Sequence, residues 1–336
     1  MPPRTVGPYE VLSVIGRGGV GTVYRARHRA TGEAVAVKLL APPPVTDATA
    51  ARRLEREFEA LEGLEHPNVV RVFEAGVHEG CSFIAMELVE GLDLRSYLSA
   101  ALDDAPADAP LAAASVVATW SDEPATESLL ASSDATPSGS EVLRAFAAIA
   151  EERDPRPAPP AAAADLVHLN SAGRVARLRD AVRQLCAGLA YVHARGLVHR
   201  DLKPSNIMVD DARRVRLMDF GLVKLASDAA SLTHHGQVVG TYRYMSPEQA
   251  CGAPVDARSD LFSVGVVLFE LLCGRPPFTS RRPAELWDEI IRRPAPTIAV
   301  VNPGADPLLA RIAERLLAKS PGERFQRAED VLQALG

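Results

Sequence analysis

Between residues 100 and 172 the chain lacks the means to build a core. The stretch is made largely of Ala, Pro, Ser and Asp, with breakers at Pro106, Pro110, Pro124, Pro137 and Pro155–Pro160. So little apolar surface cannot offset the entropy of ordering the backbone, and the stretch is expected to be mostly disordered. It holds three Arg/Lys against twelve Asp/Glu, so the chain's net charge of −6 originates here and the remainder is slightly basic. One island is expected to fold: from Ser140-Glu141, Val142, Leu143, Phe146, Ile149 and Ala150 share a helical face that stops at Asp154-Pro155. Setting these 73 residues aside leaves 263 of the 336, enough for one large core or two moderate ones.

The two flanks have different hydrophobic periods. Residues 9–89 carry strand-like runs at Val20–Ala26, Ala34–Leu39, Val69–Val77 and Ser82–Leu88, with a hairpin turn at Ala30-Thr31-Gly32-Glu33. One helix is expected among them, Arg52–Leu64, with Leu54, Phe58, Leu61 and Leu64 on a face and a stop at His66-Pro67. From Ala176 the pattern turns helical, with Leu178, Val182, Leu185 and Leu189 aligned. A second apolar helix runs from about Asp260 to Leu272 and ends at Cys273-Gly274, ahead of Pro276-Pro277. The fold class is therefore α+β, with a small β-rich unit ahead of a larger helical one. Cys81, Cys186, Cys251 and Cys273 form no CxxC pair, which points away from zinc or a disulfide framework and toward a reducing, cytoplasmic setting. No apolar run approaches the ~18 residues of a membrane span, and no basic stripe suits nucleic acid.

The chemistry concentrates in His199-Arg200-Asp201-Leu202-Lys203-Pro204-Ser205-Asn206, followed eighteen positions after Asp201 by Asp219-Phe220-Gly221. Together they supply a base for a hydroxyl, two magnesium ligands and a cation for a phosphate, the equipment for moving a γ-phosphoryl group. Gly16-Arg17-Gly18-Gly19-Val20-Gly21 is a GxGxxG loop whose glycines admit phosphate oxygens to backbone N–H groups. A dinucleotide-binding turn would need a helix after Gly21, yet Thr22–Ala26 continues as a strand. A P-loop would need lysine where Thr22 stands. A glycine hairpin leading to a lysine-bearing strand, Val35-Ala36-Val37-Lys38, is the remaining pattern.

On these motifs the chain resembles the eukaryotic-like (Hanks-type) bacterial serine/threonine protein kinases, a resemblance that covers residues 9–336. It implies a bilobal fold with an N-lobe at 9–89 and a C-lobe at 90–336, the acidic stretch being an insert in the latter. It implies that Gly16, Gly18 and Gly21 cover the phosphates of ATP and that Lys38 holds the α- and β-phosphates, oriented by Glu57. Asp201 would take the acceptor's proton and Lys203 would neutralise charge on the γ-phosphoryl group, a lysine that in this family accompanies serine or threonine acceptors. Asn206 and Asp219 would hold Mg2+, with Mn2+ as the alternative. Val23, Ala36 and Met208 would enclose adenine, with Met86 behind it and main-chain contacts from Glu87 and Val89. Glu248 of Ser246-Pro247-Glu248 would pair with Arg324, and Asp260 would receive backbone N–H groups of the catalytic loop.

Regulation follows from the same likeness. Arg200, beside the base, marks kinases switched by phosphorylation of the loop between Asp219 and Glu248. Candidate acceptors are Ser227, Ser231 and Thr233, of which Thr233 is favoured for lying eight residues before Thr241. Thr241 itself would hydrogen-bond Asp201 and Lys203. His235 stands where relatives often carry a second threonine, against dual phosphorylation. Partners are expected to be proteins with Ser/Thr acceptors, including a transient homodimer for autophosphorylation, and the signal is expected from partners, self-association or the insert. A pseudokinase scaffold and a small-molecule kinase are the alternatives. The first would lack one of these motifs, and the second typically lacks the Ser-Pro-Glu segment.

Overall fold

In the computed structural model the described residues are 3–18, 21–40, 61, 63–100, 120–121, 163–220, 242–280 and 282–336. They fall into two compact units. One holds the described residues up to 100 with 120–121 and 204–220, and the other holds 163–203 with 242–336.

The first unit is built on strands β1 (Thr5–Val6), β2 (Tyr9–Gly18), β3 (Gly21–His28), β4 (Ala34–Leu40), β5 (Val72–His78), β6 (Cys81–Glu87), β7 (Gly91–Asp93), β8 (Trp120–Ser121), β9 (Ile207–Asp210) and β10 (Val215–Leu217). The larger sheet is antiparallel in the order β1-β2-β3-β4-β6-β5, and β8 joins β2 in parallel. The smaller sheet runs β10-β9-β7. Alternation along each strand sorts side chains to two faces. On one face Val6, Tyr9, Ala26, Val35, Val37, Phe83 and Ala85 form a core. On the other, Val23, Ala36, Ile84 and Met86 meet Met208 and Met218 from the chain's second visit to this unit.

Sequence periodicity placed a strand at Val69–Val77, but β5 begins only at Val72. The residues before it are stitched to β10 instead: Leu217 N–H donates to Asn68 O and Val70 N–H to Leu217 O, each at 2.9 Å. Asn68 Nδ2 adds a bond to Val215 O, so this backbone is satisfied by the small sheet. β1 lies ahead of residue 9, and β8 is a strand within the acidic stretch that composition did not anticipate. The helical island at 140–154 lies outside the described residues, as does the Arg52–Leu64 helix apart from Leu61, Gly63 and Leu64. Leu61 and Leu64 are both buried.

The second unit opens with helices Ala163–Leu169 and Ala172–His193, so folded chain begins inside the stretch assigned to the insert. Leu178, Val182, Leu185 and Leu189 are all buried on one face of the longer helix, as their spacing requires. The helix Ala257–Cys273 is buried at every position from Ser259 onward. Asp256 caps its start, and Gly274, with φ of 70°, ends it by donating its N–H to Glu270 O. Helices Pro247–Ala250, Pro283–Ile291, Ile298–Val301, Pro307–Leu316 and Ala328–Leu335 lie in the same unit. Among the described residues no helix is long and apolar enough to cross a membrane.

Candidate active site

Strand register gathers the first group of site residues. Gly16 faces Val23, Val23 faces Lys38, and Lys38 faces Ile84, so four strands place these residues in one row. Gly18 pairs with Gly21 at the end of the glycine hairpin, whose tip, Gly19-Val20, lies outside the described residues. Gly21 has φ of 150°, and a Cβ there would sit 2.2 Å from the Leu39 carbonyl oxygen. β4 is therefore approached more closely than any other residue allows. Gly21→Ala is expected to cost about 1–3 kcal/mol of stability, read as a lower urea midpoint.

Val23, Ala36 and Met208, the three residues assigned to the adenine slot, belong to one apolar cluster with Ile84 and Met86, and Leu88 and Val89 pack against it. Glu87 N–H is already given to Arg71 O at 2.9 Å, so a main-chain contact from Glu87 would run through its carbonyl. Its carboxylate accepts from the guanidinium of Arg216 on β10, a residue that faces Met208 across the β9–β10 hairpin. Sequence reasoning passed over Arg216. The signal was a lone charge in the apolar run Val215-Arg216-Leu217-Met218.

Lys38 Nζ lies 2.9 Å from Asp219 Oδ1, and both side chains are largely buried. An apolar cavity beside the pair is lined by Val70, Met86, Met218 and Phe220. Asp219 has φ of 53°, outside the usual range for a residue with a side chain. Buried Asn206 closes the 3₁₀ turn Pro204–Asn206, and its carbonyl accepts the Met218 N–H at 3.0 Å. The backbone of Asn206, one expected metal ligand, is thus bonded to Met218, the residue preceding Asp219, the other. Among the described residues no group of three or more His, Cys, Asp and Glu could by itself hold a metal ion. A hard cation on this carboxylate and carboxamide would complete its oxygen shell from phosphates and water.

The second group lies in the other unit. Asp201 Oδ2 and Lys203 Nζ are 3.6 Å apart, both largely buried. Asp260, fully buried, accepts the N–H groups of His199 at 2.7 Å and Arg200 at 2.8 Å, as assigned from sequence. His193 Nε2, which sequence reasoning missed, also lies 2.8 Å from Asp260. Arg324 pairs with Glu248 through two parallel bonds of 2.7 and 2.9 Å. Burial raises the Glu248 carboxyl, but hydrogen bonds from Arg324 and Ser259 outweigh it and hold the group below its ordinary 4.5. Glu57, Ser227, Ser231, Thr233 and Thr241 lie outside the described residues, and the described partner of Lys38 is Asp219.

Comparison with known proteins places these features in a family. The family of protein tyrosine and serine/threonine kinases matches residues 9–325. The serine/threonine-protein kinase PknB of Mycobacterium leprae is 30% identical over 98% of this chain and 43% of its own length. The kinase pkn3 of Myxococcus xanthus is 32% identical over 96% of this chain and 48% of its own. PrkC of Bacillus subtilis is 28% identical over 98% and 40%. The chain thus spans less than half the length of these curated relatives. The solved PknI kinase domain of Mycobacterium tuberculosis covers 98% of this chain, and 96% of that domain aligns, with a TM-score of 0.58 at 24% identity. With the β-rich and helical units this establishes the bilobal α+β fold, and the chain belongs to the protein tyrosine and serine/threonine kinase family, among its bacterial eukaryotic-like members.

Proposed function

We propose that the chain transfers the γ-phosphoryl group of ATP to serine or threonine hydroxyls of proteins, itself included. The observation that carries this reading is the Lys38–Asp219 ion pair beside the apolar cluster of Val23, Ala36 and Met208. A flat purine suits the cluster, and a cation next to a metal-binding carboxylate suits its phosphates. The family uses ATP and a divalent metal ion. Mg2+ is the expected ion, Mn2+ the substitute, and when bound it would neutralise charge on the phosphate oxygens.

The chain's own residues supply the rest. Lys38 holds the phosphate tail, and Asn206 and Asp219 offer oxygens to the metal. Asp201 orients the acceptor hydroxyl and takes its proton as the new oxygen–phosphorus bond forms and the bond to the ADP oxygen breaks. Lys203 offsets charge on the moving group. The residues assigned to the acceptor role in regulation, Ser231 and Thr233, would be modified by a second copy in a transient homodimer, with Arg200 available to pair with the phosphate. Burial pushes the Cys186 and Cys273 thiols up to about 12, which leaves them protonated and unreactive at neutral pH, and the scattered cysteines of the sequence suit a cytoplasmic setting.

Incubation with γ-labelled ATP, Mg2+ and a generic protein, followed by acid hydrolysis, should release labelled phosphoserine or phosphothreonine. Labelled phosphotyrosine alone would overturn the acceptor class, and no label in any protein would overturn the activity. The Arg216–Glu87 pair yields a separate expectation. It ties β6 to the hairpin carrying Met208, so Arg216→Ala should raise the KM for ATP about three- to tenfold with kcat nearly unchanged, as steady-state kinetics would show.

A further inference from the structure

Gln249 ends the segment Ser246-Pro247-Glu248-Gln249, and both ends of its carboxamide are engaged. Oε1 accepts the Ser246 N–H at 3.0 Å while Ser246 Oγ accepts the Gln249 N–H at 3.3 Å, a reciprocal helix cap. Capping occupies only the oxygen. The nitrogen, Nε2, donates at 2.9 Å to the carbonyl oxygen of Arg200, 49 positions earlier in the sequence.

The peptide unit gripped in this way joins Arg200 to Asp201. Arg200 has φ of 66°, a left-handed conformation that costs a residue with a side chain about 1–2 kcal/mol. Three contacts hold it there: Asp260 accepts the Arg200 N–H at 2.8 Å, His199 Nδ1 accepts the Asp201 N–H at 3.3 Å, and Gln249 binds the Arg200 carbonyl. Asp260 acts on the preceding peptide, and His199 belongs to the same loop and moves with it. Gln249 reaches the carbonyl of the Arg200–Asp201 peptide from outside the loop and so bears on the plane of that peptide.

Its own anchorage is firm. On one side Glu248 is locked by Arg324, and on the other Trp287 Nε1 donates to Ala250 O at 3.1 Å. A carboxamide held at both neighbours works as a bracket rather than a flexible tether. The geometry points to Gln249 as a positioning residue for the base: by fixing that peptide plane it sets where the Asp201 carboxylate stands relative to Lys203. This deepens the kinase reading and rests on it. A displacement of about 1 Å at a reacting group costs on the order of 10²-fold in rate.

Two full-length variants test it. Gln249→Glu keeps an oxygen for the Ser246 cap but has no N–H for Arg200, and Gln249→Met removes both contacts at similar length. Both should lower kcat about 10- to 100-fold with the KM values for ATP and for the protein acceptor close to wild type, and the Tm should stay close to wild type in Gln249→Glu, which keeps the cap, and fall slightly in Gln249→Met, which gives it up. Wild-type kcat in Gln249→Glu would overturn the inference. So would a loss that appears only as a higher acceptor KM or a lower Tm, since these mark a docking or merely structural role. If Gln249→Met fails to fold, the Glu variant decides alone. A wild type that transfers no phosphate overturns the kinase reading and this inference together, whereas an active wild type with an indifferent Gln249→Glu overturns the inference only.

Discussion

Asp201→Asn is expected to lower phosphoryl transfer by about 10²–10⁴-fold and to leave ATP binding intact. The substitution preserves size and shape but removes the negative charge that draws the acceptor's proton. It also removes the 3.6 Å ionic contact with Lys203. The apolar cluster of Val23, Ala36 and Met208, which is built within the unit that also holds Lys38 and Asp219, does not include Asp201 among its members. The expected signature is therefore a lower kcat at constant affinity for ATP, separable by single-turnover kinetics and a binding titration. Equal turnover in the variant and the wild type would remove Asp201 from the role of base.

Arg324→Ala is expected to destabilise the chain by about 3–5 kcal/mol, the usual result of stripping one partner from a buried ion pair. The Arg324 side chain is fully buried and all five of its N–H groups are used. Nε donates to Ala318 O, and the two terminal nitrogens donate to Glu248, Arg258 O and Lys319 O, at 2.7–2.9 Å. Alanine would leave a carboxylate and three carbonyls without those donors. Lysine would not rescue it, because one ammonium cannot present a planar fork. Urea unfolding of both variants should show the loss, and a midpoint near wild type for Arg324→Lys would contradict it. The pair also has an acid limit. With the Glu248 pKa held below 4.5 in the folded chain, its contribution is complete above that value and disappears as pH falls through the lower folded pKa.

Residues that act through local motifs were legible in the sequence. The glycine hairpin, the strand bearing Lys38 and the turn ending at Asn206 each follow from neighbours in the chain, and strand register then lines up Gly16, Val23 and Lys38. The Glu248–Arg324 and Asp260 contacts were anticipated from family likeness alone. Arg216 and Gln249 were not, because their roles depend on which distant carbonyl or carboxylate the fold brings to them. Nothing in the sequence around Gln249 signals the bond from its Nε2 to Arg200 O, 49 positions away. The start of β5 was misplaced for a similar reason: Val69 and Val70 have strand-like side chains, but Val69 N–H donates to His66 O, and Asn68 O and Val70 N–H bond Leu217 of β10. β8 was hidden by the composition around it, although Val116-Val117-Ala118-Thr119-Trp120 is a β-prone run inside the acidic stretch.

The stitching of Asn68 to Val215, 147 positions apart, bears on how the chain is made. During synthesis the larger sheet leaves the ribosome long before β9 and β10, and until they arrive its Met86 face has no Met208 or Met218 to cover it. Maturation of the first unit must therefore wait for translation past residue 217, while the intervening acidic stretch adds little to the entropy of closing so long a loop.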